Sequence, residues 1–356
     1  MVDRPRRGLA QAGQTLLAEV TLRPVAGRAT PLYWSSLLVA DPCEATYLFA
    51  MPAPLLVLGS VNADLYVAID RLPERGETIP GRDTAMRPGG KGANQAAAAA
   101  RLGIATWFVG QVGADNHAAP LRAALVASGV DTALLGATTG ETGQAFILLQ
   151  RGGENSIIIV PGANHAWSEP PAAAIARIGH SGAVLLQREV PEIVNRAAAR
   201  AAAAAGVPVV LDAGGADAPL PDDLLPLITV LSPNETELAR LSGQATSTEA
   251  EVLAAARALQ ARGVGTVLVK LGARGSLLVP ATGDPIRQNI FRVPVVDTTG
   301  AGDCFTAAYT VALLEGQTEI QRLRFSAAAA ALCVQRLGAM PSMPARADVD
   351  ALLAAG

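Results

Sequence analysis

From residue 55 the chain alternates short apolar runs with longer alanine- and leucine-rich stretches, and glycine or proline marks most junctions. Apolar runs at 55–58, 65–69, 106–110, 183–187, 207–212, 229–232 and 266–271 are bounded by turn residues and predict strands. Segments 89–102, 120–128, 190–205, 235–241, 248–262, 302–315, 320–335 and 347–354 predict helices, with a short one at 222–227. Gly103, Gly129, Gly206 and Gly263 stand where a helix end favours glycine, and Ser247 or Thr248 supplies an N-cap. Segments 144–150 and 154–160 around Arg151-Gly152-Gly153 predict a hairpin, and 275–279 with 288–293 a second antiparallel pair. Such alternation gives a mostly parallel sheet covered on both faces, with ligand sites at the carboxyl ends of its strands. The apolar helical stretches 195–205 and 326–334 are buried faces.

Residues 1–50 break this rhythm. Arg4, Arg6, Arg7, Arg23 and Arg28 outnumber Asp3, Glu19, Asp41 and Glu44, and Met51 stands directly before the first convincing strand. The segment reads either as a transit peptide or as a misassigned leader, and residues 51–356 carry the fold. Half of the 356 residues are hydrophobic, enough for a sizeable core, and a net charge of −3 gives no basic footprint for nucleic acid. Cys43, Cys304 and Cys333, like His117, His165 and His180, are scattered without metal-ligand spacing, and the cysteines fit a reducing interior. No apolar run is long enough to span a bilayer. The expectation is a soluble intracellular protein, in a plastid if 1–50 is a transit peptide and in the cytoplasm otherwise.

The stretch richest in chemistry is Val295-Val296-Asp297-Thr298-Thr299-Gly300-Ala301-Gly302-Asp303-Cys304-Phe305. Two valines end an apparent strand, three polar residues turn the chain, and Gly300-Ala301-Gly302 opens a helix. A small-residue turn at a helix start leaves N–H groups unpaired where the helix dipole adds positive potential, which suits a phosphate in transfer. Asp303 follows those donors directly. A carboxylate there repels phosphate, so its purpose is proton removal from a nucleophilic hydroxyl. Taken alone, the same residues also make an ordinary turn with an aspartate cap.

Other polar clusters converge on the same end of the predicted sheet. Gly59-Ser60-Val61-Asn62-Ala63-Asp64, Gln187-Arg188-Glu189, Asp212-Ala213-Gly214-Gly215, Ser232-Pro233-Asn234-Glu235 and Lys270-Leu271-Gly272 each leave a strand. Neither a Gly-x-x-x-x-Gly-Lys-Ser/Thr loop nor a Gly-x-Gly-x-x-Gly after the first strand is present. Gly89-Gly90-Lys91-Gly92-Ala93-Asn94-Gln95 allows close backbone approach to a hydroxylated ligand, or serves as a loop and helix start. Asn62 and Asp64 can grip vicinal hydroxyls or serve turn chemistry. Asn234 and Glu237 share a helix face, where they can hold magnesium through water, form a capping box, or both. Lys270 to Gly275 supplies a turn on which adenine and ribose can lie, with Arg274 either there or a solvated charge.

These motifs together resemble the ribokinase group of the PfkB carbohydrate kinase family, over residues 54–354. Gly59 to Asp64, Gly89 to Gln95, Ser232 to Glu237, Asp297 to Asp303 and Gly338-Ala339-Met340-Pro341-Ser342 carry the likeness, and Asp212 to Gly215 with 333–344 are most similar to its plant-type members. The resemblance implies a ribokinase-like three-layer α/β/α sandwich, with a mostly parallel sheet and a small β lid from about 64–88 and 144–160. It implies ATP-dependent phosphorylation of D-ribose at O5, or else of deoxyribose, fructose or adenosine; a catalytically silent relative would be expected to have lost Gly-Ala-Gly-Asp. Asp303 would be the base and Gly300, Ala301 and Gly302 the anion hole. Asn62, Ala63, Asp64, Gly90, Lys91, Gly92, Ala93, Asn94 and Glu189 would meet the sugar. Asn234, Lys270, Leu271, Gly272, Ala273, Arg274 and Gly275, with Gly302 and Asp303, would meet ATP. Mg2+ would be organised by Asn234 and Glu237. An activating K+ would sit among Asp297, Thr299, Cys333, Arg336, Gly338 and Ser342, and a homodimer would form through the lid. Lys270 stands where the family often has a small polar residue, and Ala327 where an adenine-facing polar residue can occur.

Overall fold

The structure, a computed structural model, describes residues 52–151 and 155–355. The reading of 1–50, Cys43 and the Gly152-Gly153 turn lie outside them. β1 (Leu55–Leu58) and β2 (Asn62–Ile69) are followed by β3 (Asp83–Gly89), α1 (Lys91–Arg101), β4 (Thr106–Val112), α2 (Ala118–Ala127) and β5 (Val130–Ala137). Next come β6 (Gly143–Gln150), β7 (Asn155–Val160), α3 (Ala172–Ile178), β8 (Ala183–Leu186), α4 (Glu192–Ala204) and β9 (Val209–Asp212). β10 (Val230–Ser232), α5 (Glu235–Ser242), α6 (Glu249–Ala261), β11 (Thr266–Lys270), β12 (Ser276–Val279) and β13 (Ile286–Gln288) lead to α7 (Ala301–Leu314), α8 (Glu319–Cys333) and α9 (Arg346–Ala355).

Among the described residues, nine strands form one sheet in the order β13-β12-β11-β10-β9-β8-β1-β4-β5. It is parallel from β11 through β5, with β12 and β13 antiparallel at one edge. The order reverses at β1, which lies between β8 and β4, and that reversal opens a crevice at the strands' carboxyl ends. Side chains of β1 alternate between two cores: Leu55 and Val57 meet α1, α7 and α8, whereas Leu56 and Leu58 meet α3 to α6. The result is the expected three-layer α/β sandwich. Ala96 to Ala99 of α1 are fully buried beside Ala307, Ala308 and Ala312 of α7. Small side chains there let the two helices approach closely.

β3-β2-β6-β7 make a second, four-stranded sheet, in which β2 pairs with β6 in parallel and the outer strands are antiparallel. The 144–160 hairpin is thus present as β6 and β7. Three expectations need correction. The edge strand is 286–288 rather than 288–293, because the chain leaves the ladder there and lays Ile290, Phe291 and Val293 along a cleft. Val295 and Val296 end no strand: they are exposed, and the amides of Val296 and Asp297 bond to the Val334 carbonyl instead of a sheet. The helix expected at 222–227 is a single 3-10 turn, Leu225–Leu227, since Pro226 withholds a donor. β5 and α3 were not anticipated at all. No helix among the described residues is long and apolar enough to cross a membrane.

Candidate active site

The N-terminus of α7 meets the sheet reversal. Gly300 caps the helix at φ +79°, and a Cβ on it would lie 3.0 Å from Ala339 Cα, so the turn admits only glycine without strain. The Ala301 amide bonds Thr298 O at 3.2 Å and that of Cys304 bonds Gly300 O at 2.9 Å; those of Gly302 and Asp303 have no acceptor among the described residues. Asp303, 5 % exposed, accepts from Asn94 Nδ2 at 2.9 Å and Gln95 Nε2 at 3.2 Å. Lys91 Nζ lies 3.8 Å from its Oδ1. Burial raises the Asp303 pKa, helped by Asp212 and Glu189 and opposed by Lys91 and Asn94. The Asp303 carboxylate in turn is the main reason that the Lys91 ammonium holds its proton more tightly than usual. A carboxylate of raised basicity beside unpaired amides is suited to taking a proton from a hydroxyl as charge builds on a phosphate.

One side of Asp303 is a cluster of buried polar side chains. Gly59 and Gly92 let β1 and α1 touch: a Cβ on Gly92 would stand 2.7 Å from Gly59 C and Ser60 N. That contact brings Glu189 Oε2 within 2.5 Å of Ser60 Oγ and 3.1 Å of the Lys91 amide. Asn62, buried at the start of β2, accepts from Asn164 Nδ2 at 2.6 Å. Asp64 is buried beside Gly89, and burial, then the charges of Glu189 and Asp303, push its pKa up to about 7. Asn94 Oδ1 is buried without a partner among the described residues. An orphan acceptor and three close carboxylates call for a ligand rich in hydroxyl donors.

The other side is an open cleft of about 910 Å³. Asn234, Gly272, Ala273, Gly275 and Ser276 line it with Ile290, Phe291, Val293, Ala327, Ala330 and Ala331, and Lys91, Asp212, Lys270, Gly300, Ala301, Gly302 and Asp303 also border it. Two expected residues are elsewhere. Leu271 is buried in the core, and Arg274 is exposed and paired with Glu235.

Asn234 and Glu237 form the capping box: Asn234 Oδ1 accepts from Glu237 N, and Glu237 Oε2 from Asn234 N, each at 2.8 Å. Glu237 lines the cleft with its second carboxylate oxygen outside that box, which fits a water-mediated magnesium site. Asp297 Oδ1 accepts from the Thr299 amide at 2.9 Å and hydroxyl at 2.6 Å, and its Oδ2 from Gly338 N at 2.8 Å. Burial would raise the Asp297 pKa, but these bonds hold it below its ordinary value. Cys333 Sγ and Ser342 Oγ are 3.0 Å apart. Asp297, Thr299 and Ser342 oxygens suit a monovalent cation; the Cys333 thiol is a poor ligand for it, and the Arg336 guanidinium lies 3.5 Å from Asp348. Only backbone oxygens at those two positions fit the ion.

Asn164 and Thr306 belong to none of the sequence motifs, and Gln95, Gln187 and Asp212 carry no role of their own within theirs, yet all five build the site. Gln187 Nε2 donates to Gln95 Oε1 at 2.6 Å, which turns the Gln95 amide toward Asp303. A glutamine and an asparagine side by side at the head of an otherwise alanine-rich helix were the available signal.

Residues 53–346 match the pfkB family of carbohydrate kinases, and the chain belongs to that family. It is 49 % identical to a ribokinase of Arabidopsis thaliana over 306 residues, covering 84 % of this chain and 81 % of that protein. It is 38 % identical to a ribokinase of Haemophilus influenzae over 300 residues, covering 84 % of this chain and 97 % of the relative. The solved structure of Arabidopsis thaliana ribokinase complexed with ribose and ATP superposes with a TM-score of 0.82 at 48 % identity, over 85 % of this chain and 99 % of that one.

Proposed function

We propose that this chain transfers the terminal phosphoryl group of ATP to O5 of D-ribose. The carrying observation is the buried Asp303 carboxylate at the unpaired amides of α7, with a cluster of buried, acceptor-rich side chains on one side and an open cleft on the other. Ribose sits among Asn62, Asp64, Asn94 and Glu189, and its primary hydroxyl gives its proton to Asp303. The Gly300 to Gly302 turn and Lys91 stabilise the phosphoryl charge, and the nucleotide lies along Gly272, Gly275 and the Phe291 segment. The relatives named above, one solved with ribose and ATP, support this reading.

Asn234 and Glu237 would hold a hydrated Mg2+ that neutralises phosphate charge. Asp297, Thr299 and Ser342 would hold K+, which stiffens the turn that presents the amides. The small sheet serves as a lid over the sugar. Its edge strand β7 exposes Ile157, Ile158, Ile159 and Val160, a feature that supports a homodimer joined through the lid. The enzyme works inside the cell, in a plastid if residues 1–50 act as a transit peptide and in the cytoplasm otherwise.

The test is coupled ATP turnover with ribose, deoxyribose, fructose and adenosine, with and without K+. Preferential, K+-stimulated turnover of ribose is expected. Preference for another acceptor moves the substrate and keeps the mechanism; folded protein inert toward all four overturns the enzyme reading.

A further inference from the structure

The cleft contains a second ammonium group with no task in the scheme above. Lys270, the last residue of β11, places Nζ 2.6 Å from Asp212 Oδ2 and 3.4 Å from Thr306 Oγ1. A Cβ built on Gly302 would lie 3.8 Å from that Nζ, so the ammonium stands beside the turn whose amides are unpaired. Asp212, at the carboxyl end of β9, is 1 % exposed and also accepts from Thr306 Oγ1 at 2.8 Å and Gly214 N at 3.0 Å. Burial alone would raise its pKa; the ammonium groups of Lys270 and Lys91 bring it below the ordinary carboxylate range. One buried carboxylate thus serves two lysines that both border the cleft, Lys91 against Asp303 and Lys270 beside the Gly302 turn.

A buried ion pair adds little net stability, because desolvation offsets the Coulomb gain. This pair has a further property: both partners border the cleft, but the anion is almost wholly buried whereas the cation keeps 14 % of its side chain exposed there. We propose that Lys270 is a catalytic residue that donates to the transferring phosphoryl group from the nucleotide side, and that Asp212, with Thr306, is the positioning residue that aims it. This rests on the kinase reading above. In the step, the sugar oxygen bonds to the terminal phosphorus, its proton passes to Asp303, and the bond to the bridging oxygen breaks with its electrons leaving on ADP. Lys270 stays protonated throughout. Lys91, Lys270 and the free amides then surround the equatorial oxygens over which the charge is spread. Asp212 keeps the two lysines close before ATP arrives.

The test uses Lys270→Met, which removes the charge but strands Asp212. It is paired with Lys270→Met/Asp212→Asn, which removes both charges, and with Lys270→Arg, which keeps a cation. Turnover of ribose is measured beside calorimetric binding of ATP, ADP and AMP to the full chain. Both methionine variants are expected to lose about 10- to 1,000-fold in kcat at unchanged KM for ribose. They should bind ATP and ADP more weakly while AMP affinity holds, and Lys270→Arg should recover part of kcat. Asp212→Asn alone should lower kcat more than it raises KM for ATP. Methionine variants with wild-type kcat and a wild-type ratio of ATP to AMP affinity would overturn the proposal and leave a structural ion pair. If the wild-type chain phosphorylates no sugar, yet Lys270→Met abolishes its preference for ATP over AMP, the sugar assignment fails and the Lys270 contact is supported.

Discussion

The two sides of Asp303 are built on opposite principles. Toward the sugar, buried polar side chains hold one another: Asn62 is fixed by Asn164, Glu189 by Ser60, Asp303 by Asn94 and Gln95, and Gln95 by Gln187. Toward the nucleotide, the walls are largely short turns, alanines and partly exposed apolar residues such as Ile290 and Phe291. A buried hydrogen-bonding site rejects a ligand that leaves its partners unpaired, whereas an apolar wall discriminates weakly. Discrimination among acceptors therefore belongs to the buried polar side, and the open side grips a larger ligand with less demand on its shape.

That contrast can be broken most sharply at its centre. Asp303→Asn is expected to lower turnover by about 10²- to 10⁴-fold while sugar binding, followed by calorimetry, stays largely intact; undiminished ADP release would remove Asp303 as the base. The next effect is a pH dependence carried by Asp64. With its pKa near 7, the empty pocket holds a proton that bound hydroxyl donors expel. Ribose affinity should then fall about tenfold per pH unit below that value and level off above it, and Asp64→Asn should flatten the profile. The sign for stability is opposite. The unfolded chain releases this proton near 3.8, the folded chain near 7, so the sugar-free fold loses stability as pH rises between those values. Thermal midpoints across that window check it.

A smaller change is expected from Asn164→Ala, which strips Asn62 of its donor and the Val61 amide of its acceptor. Removing such buried partners costs about 1–3 kcal/mol. The KM for ribose should rise about tenfold at this level of loss, while that for ATP holds. Smallest of all, Phe291→Ala should raise KM for ATP only about fivefold and leave ribose untouched. Equal effects of these two variants on both substrates would erase the distinction between the sides.

The sandwich itself was legible because strand and helix periods differ and glycines punctuate them. The site was legible where its residues are contiguous, as in Gly89 to Gln95 and Asp297 to Asp303. What failed has physical reasons. Residues 288–296 are apolar enough for a strand, but their valines and isoleucine border a ligand cleft or solvent instead of pairing in the ladder. The strand at 130–137 mixes exposed and buried positions without clean alternation, so it left no periodic mark. Leu271 shares a turn with two cleft glycines yet points its bulk into the core. Asp212 and Lys270 lie on strands separated by β10, and no local pattern announces a pairing that only the sheet order creates.

The aliphatic edge of β7 also bears on how the chain reaches its native state. Four consecutive exposed side chains of high strand propensity, on a strand with one backbone edge unpaired among the described residues, form a template onto which any other extended chain can add. Until that edge is covered, each newly made molecule is exposed to off-pathway growth into aggregates, at a rate that climbs with its concentration. Crowded synthesis or refolding at high concentration is therefore the condition this chain tolerates least, and a lysine at Ile158 would serve as a gatekeeper against it.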